Sequence, residues 1–268
     1  MQTFLTITWS ASPEIINIGP ITLRWYGLLF ASGFLVGLFI VKKMFIAEKA
    51  PEAWLDKAFM HIVLGAVIGA RLGHVFFYDW EFYSNNLMEI PKIWRGGLAS
   101  HGGAIGIIFA LWLFSKNVSK KSILWILDKV VVPTALAGCF IRLGNLMNSE
   151  IIGSPTEVSW AFIFTRIDSI PRHPVQLYES LTYLLSFVLL FGLYWKSNVK
   201  EKPGFFFGLF LILIFGFRIL MENFKESQGG FESALGNIMS TGQWLSIPFV
   251  LIGLFFVLRP TKQKIVFN

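Results

Sequence analysis

Two arginines lie inside long apolar stretches of the sequence and are the first candidates for chemistry. Arg142 begins a polar run that reaches Glu150, and Arg218 lies four residues before Glu222. A charge at the middle of a bilayer costs at least about 2.5–3.5 kcal/mol, so such a residue usually serves a function. Guanidinium groups bind phosphate through two parallel hydrogen bonds and stay charged. The two arginines therefore suggest a site for a phospholipid headgroup.

A structural interpretation of the buried arginines stays open. Arg142 would then pair with Glu150, and Arg218 would pair with Glu222 one turn further along the same helix. The pattern of residues favours neither interpretation. Arg71 lies in a stretch rich in glycine and alanine, and two interpretations are open for it as well. It is either a structural anchor or a functional charge.

A histidine at the start of another apolar stretch is a candidate proton acceptor. His101 is followed by Gly102 and Gly103, which allow a substrate or another backbone to approach the imidazole. Histidine titrates near neutrality and accepts protons in catalysis. The alternative is a histidine at a helix end that is hydrogen-bonded to the backbone.

Further polar candidates lie beside a proline and at the first apolar stretch. His173 and Glu179 lie on either side of Pro174, which favours a turn before a helix. Tyr26 follows a tryptophan at the start of the first stretch, where its default interpretation is an anchor at the membrane surface.

Several other kinds of chemistry lack their motifs in this chain. It contains no Gly-x-Ser-x-Gly elbow, no His-Glu-x-x-His zinc helix, no P-loop and no dinucleotide fingerprint. With one cysteine and four scattered histidines, we expect no metal site and no cofactor. The net charge of +7 invites a comparison with nucleic-acid binders, but the distribution of the charges favours a membrane protein, with no nucleic acid as partner.

The composition indicates which elements must position these side chains. The 268 residues are 54% hydrophobic and only 15% charged, whereas soluble proteins average about 25% charged residues. An ordinary soluble enzyme is thereby excluded. We predict an all-α polytopic membrane protein, a bundle of about seven transmembrane helices that forms one integral-membrane domain over residues 1–268. The predicted spans are Ile21–Val41, Phe59–Tyr78, Leu98–Phe114, Ile123–Leu146, Gln176–Trp195, Gly204–Leu220 and Trp244–Leu258.

The lysines predict the orientation of these spans. Lysines are concentrated after the first, third, fifth and seventh spans, whereas the opposite loops carry fewer positive charges. By the positive-inside rule the N-terminus lies outside and the C-terminus in the cytoplasm. The candidate residues then lie towards the outer half of the membrane. The two long outer loops, 79–97 and 147–175, are expected to be lids or interfacial segments.

Several motifs together resemble the bacterial prolipoprotein diacylglyceryl transferase family. The stretch from Arg142 to Gly153 resembles the family signature, which reads approximately Gly-Arg-x-Gly-Asn-Phe-x-Asn-x-Glu-x-x-Gly. The other matching motifs follow the family order and cover almost the whole chain: Ser100-His101-Gly102-Gly103, Arg172-His173-Pro174-x-Gln176-Leu177-Tyr178-Glu179, Arg218…Glu222 and Gly242-Gln243-x-Leu245-Ser246-x-Pro248. Ile141 and Leu146 depart from the signature, which puts only the fine shape of the pocket in doubt.

The resemblance implies an enzyme of the bacterial inner (cytoplasmic) membrane. Such an enzyme transfers the diacylglyceryl group of phosphatidylglycerol to the lipobox cysteine of a prolipoprotein, and it releases glycerol phosphate. Its partners are phosphatidylglycerol, the lipobox peptide and the bilayer. The residues that match those tied to activity in the family are Tyr26, His101, Arg142, Asn145, Gly153 and Arg218.

The implied chemistry suggests a role for each candidate. His101, or a basic group that it positions, assists deprotonation of the thiol, and Arg142 and Arg218 hold the phosphate. The expected catalytic residues are His101, Arg142, Arg218 and Tyr26. Those expected to bind the lipid are Arg142, Asn145, Asn148, Glu150, Gly153 and Arg218, and those expected to support the site are Gly102, Gly103, His173, Tyr178, Glu179 and Glu222.

Two rival functions are weighed against this interpretation. A small transporter or channel that recognises an anion through buried arginines would show inverted repeats and helices broken at mid-membrane. The sequence has no convincing repeat, and its polar residues lie near one face. The other rival is a different lipid-headgroup transferase that uses the same phosphate grip.

Overall fold

The chain is dominated by long apolar helices. The structure, a computed structural model, describes residues 6–19, 21–226 and 238–260. Its helices are α1 (Trp25–Ala47), α2 (Ala53–Phe77), α3 (Trp80–Asn85), α4 (Ser100–Phe114), α5 (Ile123–Asn148), α6 (Val175–Lys196), α7 (Phe205–Met221) and α8 (Thr241–Leu258). Its strands are β1 (Ile7–Trp9), β2 (Glu14–Ile18), β3 (Ile21–Arg24), β4 (Phe162–Phe164) and β5 (Pro171–Arg172).

The described residues contain seven helices that are long and apolar enough to cross a membrane. They are all the helices above except the six-residue α3, with α4 continued to Ser119 and α7 to Phe224. The prediction of an all-α polytopic membrane protein with seven spans is therefore confirmed. The orientation of the termini stays a prediction.

The first predicted span began too early. Ile21–Arg24 is not helical but forms β3, which pairs with β2 in an antiparallel hairpin. The backbone N–H of Trp25 donates to the carbonyl of Pro13 at 3.0 Å, and α1 begins there. Apolar residues in a strand give the same hydropathy as those in a helix, so hydropathy does not distinguish the two.

The chain divides into two compact units. One is Leu38–Leu127, and the other combines Met1–Gly37 with Asp128–Asn268. We name the first the α2–α4 unit and the second the α5–α8 unit. The prediction of one domain over residues 1–268 stays a prediction.

Glycines join the two long helices of the α2–α4 unit. A Cβ added at Gly69 would overlap the carbonyl oxygen of Gly102 and lie 2.7 Å from the Cα of Gly106. A Cβ at Gly102 would in turn overlap Gly69 and lie 2.7 Å from the Cα of Gly73. Small residues at this spacing allow membrane helices to pack backbone to backbone. Gly102 therefore contributes to helix packing, and its expected support of the site stays a prediction.

Arg71 anchors the long loop of the same unit. It donates hydrogen bonds to the carbonyl oxygens of Glu89 and Ile90, both at 2.7 Å, and to that of Gly96 at 2.6 Å. Its guanidinium also lies 4.9 Å from the centre of the Tyr83 ring. The side chain is 4% exposed, so these carbonyls replace the water that it loses on burial. Of the two interpretations, the structure supports the structural anchor.

In the α5–α8 unit, a small sheet and a helix cap fix the ends of the helices. β4 lies between β1 and β5, and the indole of Trp9 donates to the carbonyl of Leu146 near the end of α5 at 3.0 Å. At the start of α7, the Asp128 carboxylate accepts the backbone N–H groups of Gly204 at 2.5 Å and Phe207 at 2.9 Å. These donors have no partner within the helix, so Asp128 satisfies them.

Substitution of Gly69 by alanine tests the glycine contact. We expect Gly69→Ala to destabilise the protein by about 1–3 kcal/mol, because the added methyl group forces α2 and α4 apart. Gly192→Ala is the matched control, since nothing lies within 4 Å of a Cβ added there on α6. Thermal unfolding in detergent measures both variants. Equal melting temperatures for the two variants would contradict the glycine contact.

Candidate functional site

The polar residues that follow Arg142 form a hydrogen-bonded turn. Asn145 and Asn148, on the last turn of α5, donate to the two oxygens of the Glu150 carboxylate at 3.0 Å and 3.1 Å. Ser149 and Ile151 have φ angles of 56° and 55°, in the left-handed region that few side chains adopt. The turn reverses the chain and holds Glu150 above the helix end.

Arg142 pairs with Glu179 rather than with Glu150. Its Nε lies 3.0 Å from Oε2 of Glu179, which is on the second turn of α6 and is 1% exposed. The guanidinium lies 5.8 Å from the centre of the Tyr183 ring, one turn further along α6. Its Nη1 is 3.5 Å from the side-chain oxygen of Asn145. The arginine is thus held between two helices and aligned by both.

Arg218 pairs with Glu222, as its spacing suggested. Its Nε lies 3.5 Å from Oε1 of Glu222, at the end of α7. The hydroxyl of Ser240 donates to Oε2 of the same carboxylate at 3.2 Å. A Cβ at Gly242, in the first turn of α8, would overlap the Glu222 carboxylate. Gly242 therefore leaves room for the Glu222 carboxylate, which occupies the space of a side chain there.

Lys225 joins the two ion pairs. Its Nζ lies 2.9 Å from Oε1 of Glu179 and 2.9 Å from Oε1 of Glu222, and its side chain is 8% exposed. The result is a continuous chain of charges in the order Arg142, Glu179, Lys225, Glu222 and Arg218, which we name the charge cluster. Three cations face two carboxylates, so the cluster carries one positive charge in excess.

The loop after α5 is tied to the segment that carries Lys225. Gly153 forms an antiparallel bridge with Lys225, and the backbone N–H of Ser154 donates to the carbonyl of Phe224 at 2.9 Å. A Cβ at Gly153 would overlap the carbonyl of His173 and lie 2.8 Å from Val175. Gly153 therefore allows three chain segments to meet beside the charge cluster.

Arg172 and its neighbours form a second polar group next to this loop. Arg172 binds Asp168 through Nη2 at 2.6 Å and Glu226 through Nη1 at 3.1 Å, and it also donates to the carbonyl of Gly153 at 3.2 Å. The guanidinium lowers the pKa of the Asp168 carboxyl, chiefly through its hydrogen bonds. These contacts hold the loop in place, and they engage both Nη groups of Arg172.

His173 and Tyr178 belong to an aromatic group beside Phe224. The Tyr178 hydroxyl lies 3.3 Å from Nδ1 of His173 and accepts the indole N–H of Trp160 at 2.7 Å. The imidazole packs edge-on against Phe224, with 5.2 Å between ring centres. Burial lowers the pKa of the His173 imidazole, because the charged form is less well solvated there. The supporting role of His173 and Tyr178 stays a prediction, and this packing agrees with it.

Tyr26 lies beside the turn at the end of α5. A Cβ at Gly144 would be 2.8 Å from the Tyr26 ring and 3.2 Å from its Cα, so the tyrosine packs directly on this glycine. Gly144 lies between Arg142 and Asn145 in the chain. The start of α1 is thereby fixed against the segment that carries the arginine.

His101 belongs to the other unit. It is an exposed residue in the first turn of α4, and within the described ranges its imidazole has no hydrogen bond or ion pair. The described residues therefore do not show the alternative, in which the histidine is hydrogen-bonded to the backbone. Gly103, two residues further along, packs near Ala66 and Ala70 of α2. The roles of His101 and Gly103 stay predictions.

Sequence reasoning missed Lys225 and Ser240. Lys225 was counted only as a loop charge, although its position three residues after Glu222 places the two side chains together. Ser240 is the N-cap of α8, where its hydroxyl accepts the Gln243 backbone N–H at 3.1 Å. The Ser-x-x-Gln capping box was a readable signal for this helix start.

The fold and the site together define a class of protein. Seven membrane-length helices and a buried cluster with excess positive charge describe a multi-pass membrane protein with a site suited to an anionic group. The family model for prolipoprotein diacylglyceryl transferase matches residues 13–259. The chain belongs to that family, and it is a transferase.

Curated relatives agree along nearly the whole chain, and each is named phosphatidylglycerol–prolipoprotein diacylglyceryl transferase. The protein of Tolumonas auensis is 49% identical over 96% of this chain and 98% of its own length. That of Chloroherpeton thalassium is 48% identical over 98% and 97%. That of Bacteroides fragilis is 43% identical over 97% of each chain.

Removal of the charge of Glu179 tests the integrity of the charge cluster. We expect Glu179→Gln to cost about 3–5 kcal/mol of stability, because Arg142 and Lys225 lose the carboxylate that they share. We also expect a large loss of transferase activity. Glu157→Gln is the matched control, since Glu157 is an exposed carboxylate in the same unit. Wild-type melting temperature and activity in Glu179→Gln would contradict the cluster's role.

Proposed function

We propose that this chain transfers the diacylglyceryl group of phosphatidylglycerol to the lipobox cysteine of prolipoproteins, and that Arg142 and Arg218 hold the lipid phosphate. The family and its relatives support the activity. The observation that carries the phosphate site is the charge cluster, which places both arginines in one buried network with one excess positive charge.

The reaction exchanges a carbon–oxygen bond for a carbon–sulfur bond. The cysteine thiolate attacks the sn-3 carbon of the lipid glycerol, and the bond from that carbon to the phosphate oxygen breaks. The electron pair of that bond stays on the phosphate, so glycerol phosphate leaves and the thiol proton passes to a base. The enzyme must therefore lower the cost of deprotonating a thiol, whose ordinary pKa is about 8.5, and stabilise charge on the phosphate.

The geometry of the two arginines supports their role as a phosphate clamp. In each of them Nε is the nitrogen nearest to the carboxylate, at 3.0 Å for Arg142 and 3.5 Å for Arg218. Nη1 of Arg142 lies 3.5 Å from the side-chain oxygen of Asn145, a long contact that a bound phosphate oxygen would replace. Guanidinium binds phosphate through paired N–H groups, and a carboxylate behind it fixes its direction.

The asparagines on the last turn of α5 supply further donors. Asn145 and Asn148 each donate through Nδ2 to Glu150. An amide nitrogen carries two hydrogens, so each side chain keeps one for a lipid oxygen. Glu150 orients these amides, and Gly153 allows the loop to pack closely. Tyr26 holds the start of α1 beside the two asparagines.

Phosphatidylglycerol and the lipobox peptide are the substrates, and no cofactor enters the reaction, because the phosphodiester carries its own leaving group. We place the enzyme in the bacterial inner membrane. The lysine distribution supports an outer N-terminus and a cytoplasmic C-terminus, which puts Arg142, Arg218 and His101 towards the periplasmic half.

Replacement of arginine by lysine tests the clamp. We expect Arg142→Lys or Arg218→Lys to lower kcat/KM by about a hundredfold or more, because a single ammonium group cannot grip the phosphate through two N–H groups. Arg166→Lys is the control, since Arg166 is exposed in the same unit. The assay follows a lipobox peptide that gains a thioether-linked diacylglyceryl group from phosphatidylglycerol. Wild-type rates in both variants would refute the clamp.

Removal of the imidazole tests the proposed proton acceptor. We expect His101→Ala to abolish thioether formation while the protein still binds phosphatidylglycerol, because the thiol then lacks its base. His61→Ala is the control: it removes a histidine of α2 in the same unit, whose Nδ1 lies 2.6 Å from the carbonyl of Lys57. Retention of most wild-type turnover by His101→Ala would remove His101 from the mechanism.

A further inference from the structure

Lys225 lies at the centre of the charge cluster and is not among the site residues predicted from the sequence. We infer that Lys225 is a positioning residue for the phosphate clamp. It fixes both arginines through their carboxylates, and it adds a positive charge that strengthens the attraction of the site for a phosphodiester monoanion. The inference rests on the proposed function.

The contacts of Lys225 place it between the two arms of the clamp. One oxygen of Glu179 faces Lys225 at 2.9 Å, and the other faces Arg142 at 3.0 Å. Oε1 of Glu222 faces Lys225 at 2.9 Å and Arg218 at 3.5 Å. The ammonium group therefore sets the separation of the two carboxylates, and each carboxylate aligns one arginine.

The charge of Lys225 decides the net charge of the cluster. Without it, the two carboxylates of the cluster would balance the two arginines, and Glu150, which Asn145 links to Arg142, would add a negative charge beside them. Glu179 is 1% exposed and Glu222 is 13% exposed, so water screens these charges poorly and each unit of charge has a large effect on an incoming ion. Because the lipid phosphate is a monoanion, the positive charge of Lys225 strengthens the attraction of the site for it.

The backbone holds Lys225 in place from both sides. A short helical turn, Glu222–Phe224, carries it beyond α7. Gly153 pairs with it in an antiparallel bridge, and the backbone N–H of Glu226 donates to the carbonyl of Ile152 at 3.3 Å. Gly153 was expected to bind lipid. Its contacts also place it in the packing that fixes the position of Lys225, and its role towards the lipid stays a prediction.

The first test separates the charge of Lys225 from its shape. We expect Lys225→Met to raise the KM for phosphatidylglycerol by at least about tenfold, since a buried carboxylate pair loses its cation. We expect Lys225→Arg, which keeps the charge, to recover most of that loss. The control is Lys200→Met, because Lys200 is an exposed lysine of the same unit. A wild-type KM in Lys225→Met would overturn the inference.

The second test restores the net charge without the lysine. The double variant Lys225→Met/Glu222→Gln removes one charge of each sign, so the cluster again carries one positive charge in excess. We expect its KM to be several-fold lower than that of Lys225→Met. A KM no better than that of the single variant would overturn the charge argument. If Lys225→Met does not fold, the comparison of the double variant with the wild type and with Lys225→Arg applies the same test.

The two proposals fail in different ways. If Arg142→Lys and Arg218→Lys lose activity while every Lys225 variant keeps the wild-type KM, the clamp stands and the role of Lys225 is wrong. If the arginine variants keep wild-type rates, the clamp itself is wrong. Competitive inhibition by free glycerol phosphate gives a second readout, and we expect Lys225→Met to weaken it in parallel with the rise in KM.

Discussion

The structure of the α5–α8 unit depends on one constraint: charges taken out of water must be paired. Glu179 is almost fully buried, and Arg142 and Lys225 each contact one of its oxygens. Removing any partner would leave an isolated buried charge, which is far more costly than the pair. This requirement ties α5, α6 and the segment after α7 to one point. The same chain of pairs continues to Glu222, whose carboxylate also receives a hydrogen bond from Ser240 at the start of α8.

Glycines make this convergence sterically feasible. At Gly242 the space of a side chain is filled by the Glu222 carboxylate, at Gly153 by the backbone of His173, and at Gly144 by the Tyr26 ring. Each glycine lies beside a charged or polar residue of the site, and it lets a neighbouring side chain or backbone come closer than another side chain would allow. The glycines of the α2–α4 unit do the same for two whole helices, which pack along Gly69 and Gly102.

The sequence specified the helices better than it specified the contacts. Continuous apolar runs predict spans because the bilayer imposes a fixed length, and all seven were found. The hairpin at Ile21–Arg24 was missed because strands and helices are equally apolar there. The partner of Arg142 was missed because Glu179 is distant in the chain, and only packing reveals such pairs. Arg218 and Glu222, one turn apart on a helix, were predictable from spacing alone.

A cluster with excess positive charge suits the proposed reaction better than a neutral one. The lipid phosphate begins as a monoanion, and its negative charge increases as the bond to the glycerol carbon breaks. Cations fixed in a poorly hydrated site attract the phosphate more strongly as its negative charge increases. They therefore stabilise the transition state more than they stabilise the bound lipid. Glu179 and Glu222 hold the arginines in place before the lipid arrives, and no reorganisation is then needed as charge develops. In the proposed clamp Lys225 offsets one of these two carboxylates, so that the arginines keep their alignment without losing their attraction for phosphate.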